Sequence, residues 1–197
     1  MNFLELASRR YSCRSYQTSP VSREQIDYCL QAARLAPSSC NSQSWHFVVV
    51  DEAEKLEIVA NCLTDPVTGI NRFAVQAAAF ILLLEGAENL PSRVGGLCKN
   101  HEFTQTNLGI AAAHICLAAT DCGLGSCILG WFNERKLKKT LSIPTTKRIR
   151  MVIALGHPLS QEIPEKDRKP LEELVDYNGY SKGPSAKRKK EFGRPKK

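Results

Sequence analysis

Four clusters in this 197-residue chain carry side chains that bind anions and polar ring edges. Near the start, Arg9-Arg10-Tyr11-Ser12-Cys13-Arg14 sets three arginines and a hydroxyl within six residues. A guanidinium presents a planar fork of N–H donors matched to phosphate oxygens and to the carbonyl edge of a ring. Arg10, Ser12 and Arg14 alternate, so an extended backbone turns all three to one side. A solvated basic turn is the plainer reading of the same residues. Ala36 to His46 offers hydroxyls and amides on Ser38, Ser39, Asn41, Ser42 and Gln43, where a helix-to-strand turn needs one or two. A capped turn is the plainer reading there. Gly123-Leu124-Gly125-Ser126-Cys127-Ile128-Leu129-Gly130 is a glycine-rich strand entry where backbone comes close to something. Lys166-Asp167-Arg168-Lys169 forms a second cationic cluster. Together they suit a flat, polar-edged, phosphate-bearing ligand, with arginines on the phosphate, amides on the ring edge and bare backbone beside the ring.

Other chemistries lack their residues. Eight cysteines (13, 29, 40, 62, 98, 116, 122, 127) contain no Cys-x-x-Cys pair, which speaks against zinc sites and thioredoxin-type redox motifs. They read as reduced thiols, with Cys29 and Cys116 on apolar helical faces. Neither a Gly-x-Ser-x-Gly elbow nor a His-Glu-x-x-His helix occurs. The four histidines are scattered, His114 reads as a satisfied core residue, and no carboxylate pair stands out for acid–base work.

The elements that must position these clusters are legible in the pattern. A short helix is predicted over Phe3 to Ser8. Ser22-Arg23-Glu24-Gln25 is a capping box, and Ile26, Cys29, Leu30 and Ala33 follow on one helical face to about Leu35. Trp45 to Val50 reads as a buried strand, Asp51 to Leu63 as an amphipathic helix, and Ala77 to Leu84 as a central strand because it lacks alternation. Glu88 to Glu102 is the least patterned stretch, and a mobile loop is expected there. Thr104 to Cys122 is a long helix, apolar around most of its circumference, and suggests a subunit interface. Asn133 to Leu141 is a short exposed helix and Arg148 to Leu155 the last core strand.

The net charge of +7 resides in residues 182–197, with eight cations against one anion, so residues 1–181 are balanced. That basic tail has no interleaved aromatics, and neither a specific nucleic-acid partner nor a membrane partner is expected. With no membrane-length apolar run and no secretory leader, the chain is predicted to be cytoplasmic.

The ordered set resembles the nitroreductase family of FMN-dependent oxidoreductases. It consists of Arg9 to Arg14, Ala36 to Phe47, Gly123-Leu124-Gly125-Ser126, Ile143-Pro144, Ala154-Leu155-Gly156-His157-Pro158 and Lys166-Asp167-Arg168. The resemblance implies an α+β fold with a central mixed sheet flanked by helices, in an intertwined homodimer with one FMN at each end of the interface. It assigns residues 1–181 to the FMN-binding domain and 182–197 to a separate tail. By that likeness Arg10 and Ser12 hold the phosphate, joined by Lys166 and Arg168, and Arg14 faces the pyrimidine edge. Pro37, Ser38, Ser39, Asn41 and Gln43 reach the flavin from the partner subunit. Leu129 and Gly130 place backbone beside N5, and Asn71 stands near the ring edge. NADPH or NADH would deliver hydride to N5, and a small-molecule acceptor such as a nitroaromatic or quinone would collect it, in a ping-pong cycle. The rival expectation is an FMN-binding storage or sensor module with little turnover. A specialised reductive reaction such as dehalogenation is a third expectation.

Overall fold

A four-stranded sheet of order β1-β2-β4-β3 carries the molecule, formed by β1 (Trp45–Val50), β2 (Ala79–Glu85), β3 (Gly125–Leu129) and β4 (Ile149–Gly156). The computed structural model describes residues 1–99 and 101–180, without the side chains of residues 97 and 99. It divides into two units, Met1–Ile163 and the segment from Pro164 onward. The predicted basic tail, 182–197, lies outside the described residues.

β2 shows why the sheet sits at the centre. Phe80, Leu82 and Leu84 enter one core with Val152 and Ala154 of β4, while Ala79, Ile81 and Leu83 enter the other with Ile153 and Leu155. An unbroken apolar run is what a strand covered on both faces requires, and each large side chain so buried stabilises by about 1.5–3 kcal/mol. The first face is covered by α3 (Ala53–Leu63) and α6 (Glu134–Thr140), the second by α2 (Arg23–Arg34) and α5 (Phe103–Asp121). A short α1 (Phe3–Arg9) leads in, capped by Asn2.

The α+β expectation holds and its sheet is sharpened. All strand pairs of the described sheet are antiparallel, so the expected mixed character is limited to one isolated parallel bridge, Ser12 to Ser126. The physical reason is connectivity: the N-terminal segment touches β3 at one residue pair and then turns away to pair Tyr16 with Pro158.

The mobile loop expected over Glu88 to Glu102 is corrected to a helix, α4 (Leu90–Lys99). Asn89 caps it, its Oδ1 accepting the Ser92 N–H at 3.1 Å. Gly95 and Gly96 weaken the helical signal without breaking it, because packing beside Phe103 supplies what propensity lacks.

On α5, Leu108, Ala111, Ala112, Ile115, Cys116, Ala118 and Ala119 are buried against the sheet and α2. Ile110, Ala113, His114 and Leu117 instead line an open groove with Phe3, Leu6, Tyr28 and Ala32, about 560 Å³ in volume. His114 is half-buried in its wall, with Nδ1 2.9 Å from the Ile110 carbonyl. No described helix is long and apolar enough to cross a membrane.

Candidate functional site

The N-terminal segment lies along the outer edge of β3. The Cys13 N–H donates to the Ser126 carbonyl at 2.9 Å, and the Gln17 N–H to the His157 carbonyl at 2.8 Å. Two glycines make this close approach possible. A Cβ on Gly125 would stand 2.7 Å from Cys13 Sγ, and one on Gly156 would stand 2.7 Å from Tyr16 Cδ1. Cys13 and Tyr16 therefore fill the space that side chains at those positions would take. Tyr16 Oη donates to the Cys13 carbonyl at 2.8 Å, and burial pushes its hydroxyl pKa far up. Tyr11, half-buried beside Cys13, is pushed up to about 12, first by desolvation and then by the Cys13 thiol.

Alternation does the rest. With Tyr11 and Cys13 turned inward, Arg10, Ser12 and Arg14 face the other way, Ser12 and Arg14 exposed and Arg10 half-buried. Arg14 Nη1 folds back to the Ser12 carbonyl at 3.3 Å, which keeps the Arg14 guanidinium beside Ser12. Behind them Ser126 Oγ is fully buried; burial pushes the neighbouring Cys116 thiol of α5 up, and the Ser126 hydroxyl partly offsets that rise. Along the same edge, Leu129 is buried while Gly130 is exposed, and a Cβ on Gly130 would meet nothing within 4 Å. Ser126 and Gly130 are about 13 Å apart along this edge at strand rise. Donors for an anion at one end and bare, open backbone at the other fit an elongated phosphate-bearing flavin.

Asn71 reaches the same end of the edge. It adopts φ 61°, and its Nδ2 donates to the Leu63 carbonyl at 3.2 Å and the Trp131 carbonyl at 3.0 Å. Its amide N–H group thus fixes the backbone just past Gly130.

The turn between α2 and β1 is organised differently. Cys40, Asn41 and Gln43 all have positive φ, at 50°, 50° and 46°. Such conformations cost roughly 1 kcal/mol or more each for residues with a Cβ. The turn spends its polar groups on holding them. Ser38 Oγ accepts the Gln43 N–H at 3.0 Å, and Gln43 Nε2 donates to Asn41 Oδ1 at 3.2 Å. Asn89 Nδ2 donates to the exposed Cys40 at its carbonyl, at 2.8 Å. Asn107 of α5, 1% exposed, accepts the Ser39 N–H at 3.0 Å and donates to Ser42 Oγ at 3.2 Å and Ser44 Oγ at 2.9 Å. Pro37 is exposed at the head of this turn.

The two regions stand at diagonally opposite corners of the sheet. Ser126 faces Leu155, which pairs with Ala79, whereas Trp45 pairs with Glu85. The separation is three strand spacings across, about 14 Å, and six residues along, about 20 Å, or about 25 Å on the diagonal. Within one chain, the structure brings together Arg10, Ser12 and Arg14, with Leu129, Gly130 and Asn71 farther along the same edge. It sets Pro37, Ser38, Ser39, Asn41 and Gln43 apart. Lys166 and Arg168 belong to the second unit, where Arg168 Nη1 donates to the Asp167 carbonyl at 2.7 Å.

The sequence pattern of the nitroreductase family matches residues 7–157, which include the N-terminal arginine segment, the polar turn and all four strands. The chain belongs to the nitroreductase family. It is an oxidoreductase by that membership. An oxygen-insensitive NADPH nitroreductase from Helicobacter acinonychis is 27% identical over 206 residues, covering 88% of this chain and 95% of the relative. Iodotyrosine deiodinase 1 from Sus scrofa is 25% identical over 196 residues, covering 88% of this chain and 67% of the relative. Among solved structures, an FMN-dependent nitroreductase from Clostridium difficile R20291 superposes with a TM-score of 0.72 at 24% identity, covering 90% and 100% of the two chains. At that identity the likeness speaks to the nitroreductase fold.

Two residues of the site escape sequence reasoning. Asn107 is the buried amide of an apolar helix, and its signal is that it precedes Leu108 and Ala111 on the buried stripe. Ser126 sits inside the glycine-rich motif but looks like a spacer until its burial is seen.

Proposed function

We propose that this nitroreductase family member binds FMN along the β3 edge and uses it to pass hydride from NADPH or NADH to a small electron acceptor. The carrying observation is the Arg10–Ser12–Arg14 patch, whose donors face outward because Cys13 and Tyr16 occupy the space over Gly125 and Gly156. When bound, FMN would supply the redox chemistry, hydride transfer between a reduced nicotinamide and the acceptor.

The chain's own residues bind and orient. Arg10 and Ser12 hold the phosphate, with charge-assisted hydrogen bonds from the guanidinium stronger than neutral ones. Arg14 would place positive charge at the pyrimidine edge, the kind of group that favours a reduced, anionic flavin. The Gly130 backbone, where no side chain intervenes, would adjoin the ring, and Asn71 keeps that backbone in place through the Trp131 carbonyl. No side-chain acid or base is assigned.

We further propose that the protein works as a homodimer. The 25 Å diagonal keeps one chain's polar turn away from its own arginine patch, so Pro37, Ser38, Ser39, Asn41 and Gln43 serve the partner's site. The open groove on α5 is the apolar face a second copy would cover. The Sus scrofa relative's name favours a second reading, reductive dehalogenation of an iodinated aromatic acceptor, by the same site.

Purified protein is expected to be yellow, with flavin absorbance that bleaches on anaerobic addition of NADPH or NADH and returns with a nitroaromatic, quinone or iodophenol. Colourless protein that takes up no added FMN overturns the assignment, and binding without turnover supports the storage reading instead.

A further inference from the structure

Helices α2 and α5 are joined at one end by a pair of polar contacts that bracket two thiols. Gln25 Nε2 of α2 donates to the Cys122 carbonyl at 3.1 Å, and Tyr28 Oη donates to Asp121 Oδ2 at 2.7 Å. Cys29 lies one turn beyond Gln25 on the same face, fully buried, on the side turned toward Cys122, whose Sγ donates to the Ala119 carbonyl at 3.4 Å. Cys122 is the C-cap of α5 and half-buried, so its sulfur lies nearer solvent than its partner's.

We propose that Cys29 and Cys122 form a peroxide-sensitive dithiol that closes to a disulfide between α2 and the end of α5. The two thiols are unequal in the way such a pair requires. The Cys29 S–H bond, followed by the Leu124 N–H, holds the Cys122 thiol below its ordinary value against the opposing effect of burial. Cys29 itself is pushed far up, first by donating to Cys122 and then by desolvation. Cys122 is therefore the attacking sulfur and Cys29 the resolving one.

The step balances with hydrogen peroxide as oxidant. The Cys122 thiolate attacks one peroxide oxygen, the O–O bond breaks, and the departing oxygen takes a proton to leave as water. Cys29 sulfur then attacks the sulfenic sulfur of Cys122, the S–O bond breaks, a second water departs, and the S–S bond forms. Two thiols lose two electrons and two protons in all. Gln25 holds the Cys122 carbonyl one turn from Cys29, and Cys122 is the C-cap of its helix, so closing the disulfide is a movement of the end of α5. This proposal does not depend on flavin binding.

The test exposes the folded, full-length protein to a few equivalents of hydrogen peroxide, alkylates the remaining thiols, and maps the peptides by mass. The expected result is a dithiothreitol-reversible Cys29–Cys122 cross-link, with the protein about 2 Da lighter before alkylation. Cys122→Ser is expected to abolish it, and Cys29→Ser to leave a sulfenic acid at Cys122 that reacts with dimedone. The proposal fails if peroxide cross-links any other pair first, or if Cys122 is oxidised no faster than the buried Cys116. The mapping on the unaltered chain decides this even if a variant does not fold.

Discussion

The β3 edge and the polar turn before β1 are built from similar residue types and use them in opposite ways. At the β3 edge the inward residues, Cys13 and Tyr16, do the packing, and the polar residues between them face outward. In the turn, Ser38, Asn41, Gln43 and Asn107 bond one another and the backbone to stabilise three left-handed residues. A row of donors thus signals a binding site only where local structure has not already used them. The turn's share in a ligand site rests on its exposed rim and on shape, the edge's share on charge.

The largest effect should come from stripping the edge. Arg10→Ala with Arg14→Ala is expected to weaken FMN binding at least 100-fold, at about 1.5–3 kcal/mol for each charged contact, with the circular dichroism spectrum unchanged. Asn41→Ala with Gln43→Ala, treated alike, should weaken it less than tenfold, because those groups already bond each other. Equal losses in a flavin fluorescence titration would erase the contrast.

For the turn the expected loss is in stability. Asn107→Ala leaves the Ser39 N–H and the Ser44 hydroxyl unpaired in a buried setting, a cost of about 2–4 kcal/mol readable as a lower urea midpoint. An unfolding free energy within about 0.5 kcal/mol of wild type would mean that the turn holds itself.

The glycines of the edge separate packing from binding. Gly125→Ala pushes a methyl into Cys13 and should cost about 1–3 kcal/mol. Gly130→Ala meets open space, so stability should hold while flavin affinity falls. If Gly130→Ala leaves flavin binding unchanged, the Leu129–Gly130 backbone does not adjoin the ring.

The smallest effect lies away from both corners and serves as a control. Burial raises the Glu134 carboxyl, but hydrogen bonds from Lys138 and the Ile149 N–H, with the Lys138 and Arg148 charges, outweigh it and leave the pKa below its ordinary value of 4.5. A depressed folded pKa stabilises fully above the unfolded value and loses that contribution as pH falls through the folded one. Wild type should therefore exceed Glu134→Gln by about 1 kcal/mol at pH 7, with the gap closing below about pH 4. Flavin affinity should not change.

Much of the fold was legible because its cues are local. The Ser22 capping box forms as read, with Gln25 N–H bonded to Ser22 Oγ at 3.2 Å, and β1 spans Trp45–Val50 as predicted. β2 was placed centrally by its lack of alternation, and its two faces confirm why. Helix α4 was missed because its start rests on one Asn89 side chain and its middle holds two glycines. Of the site, the alternation of Arg10, Ser12 and Arg14 could be read directly, since period two is a property of the backbone. The fate of the turn's donors could not, because their partners Asn89 and Asn107 lie some fifty and seventy residues away. Nor could the diagonal placement, which follows from strand order and register rather than from any short motif.

In the proposed homodimer that placement would tie cofactor retention to mass action between chains. If each site is completed by two copies, diluting the protein below the concentration at which it dimerises will release cofactor even when free cofactor is held constant. Occupancy then becomes a reporter of assembly, and a protein-concentration series would read the dimer equilibrium in the yellow of the solution.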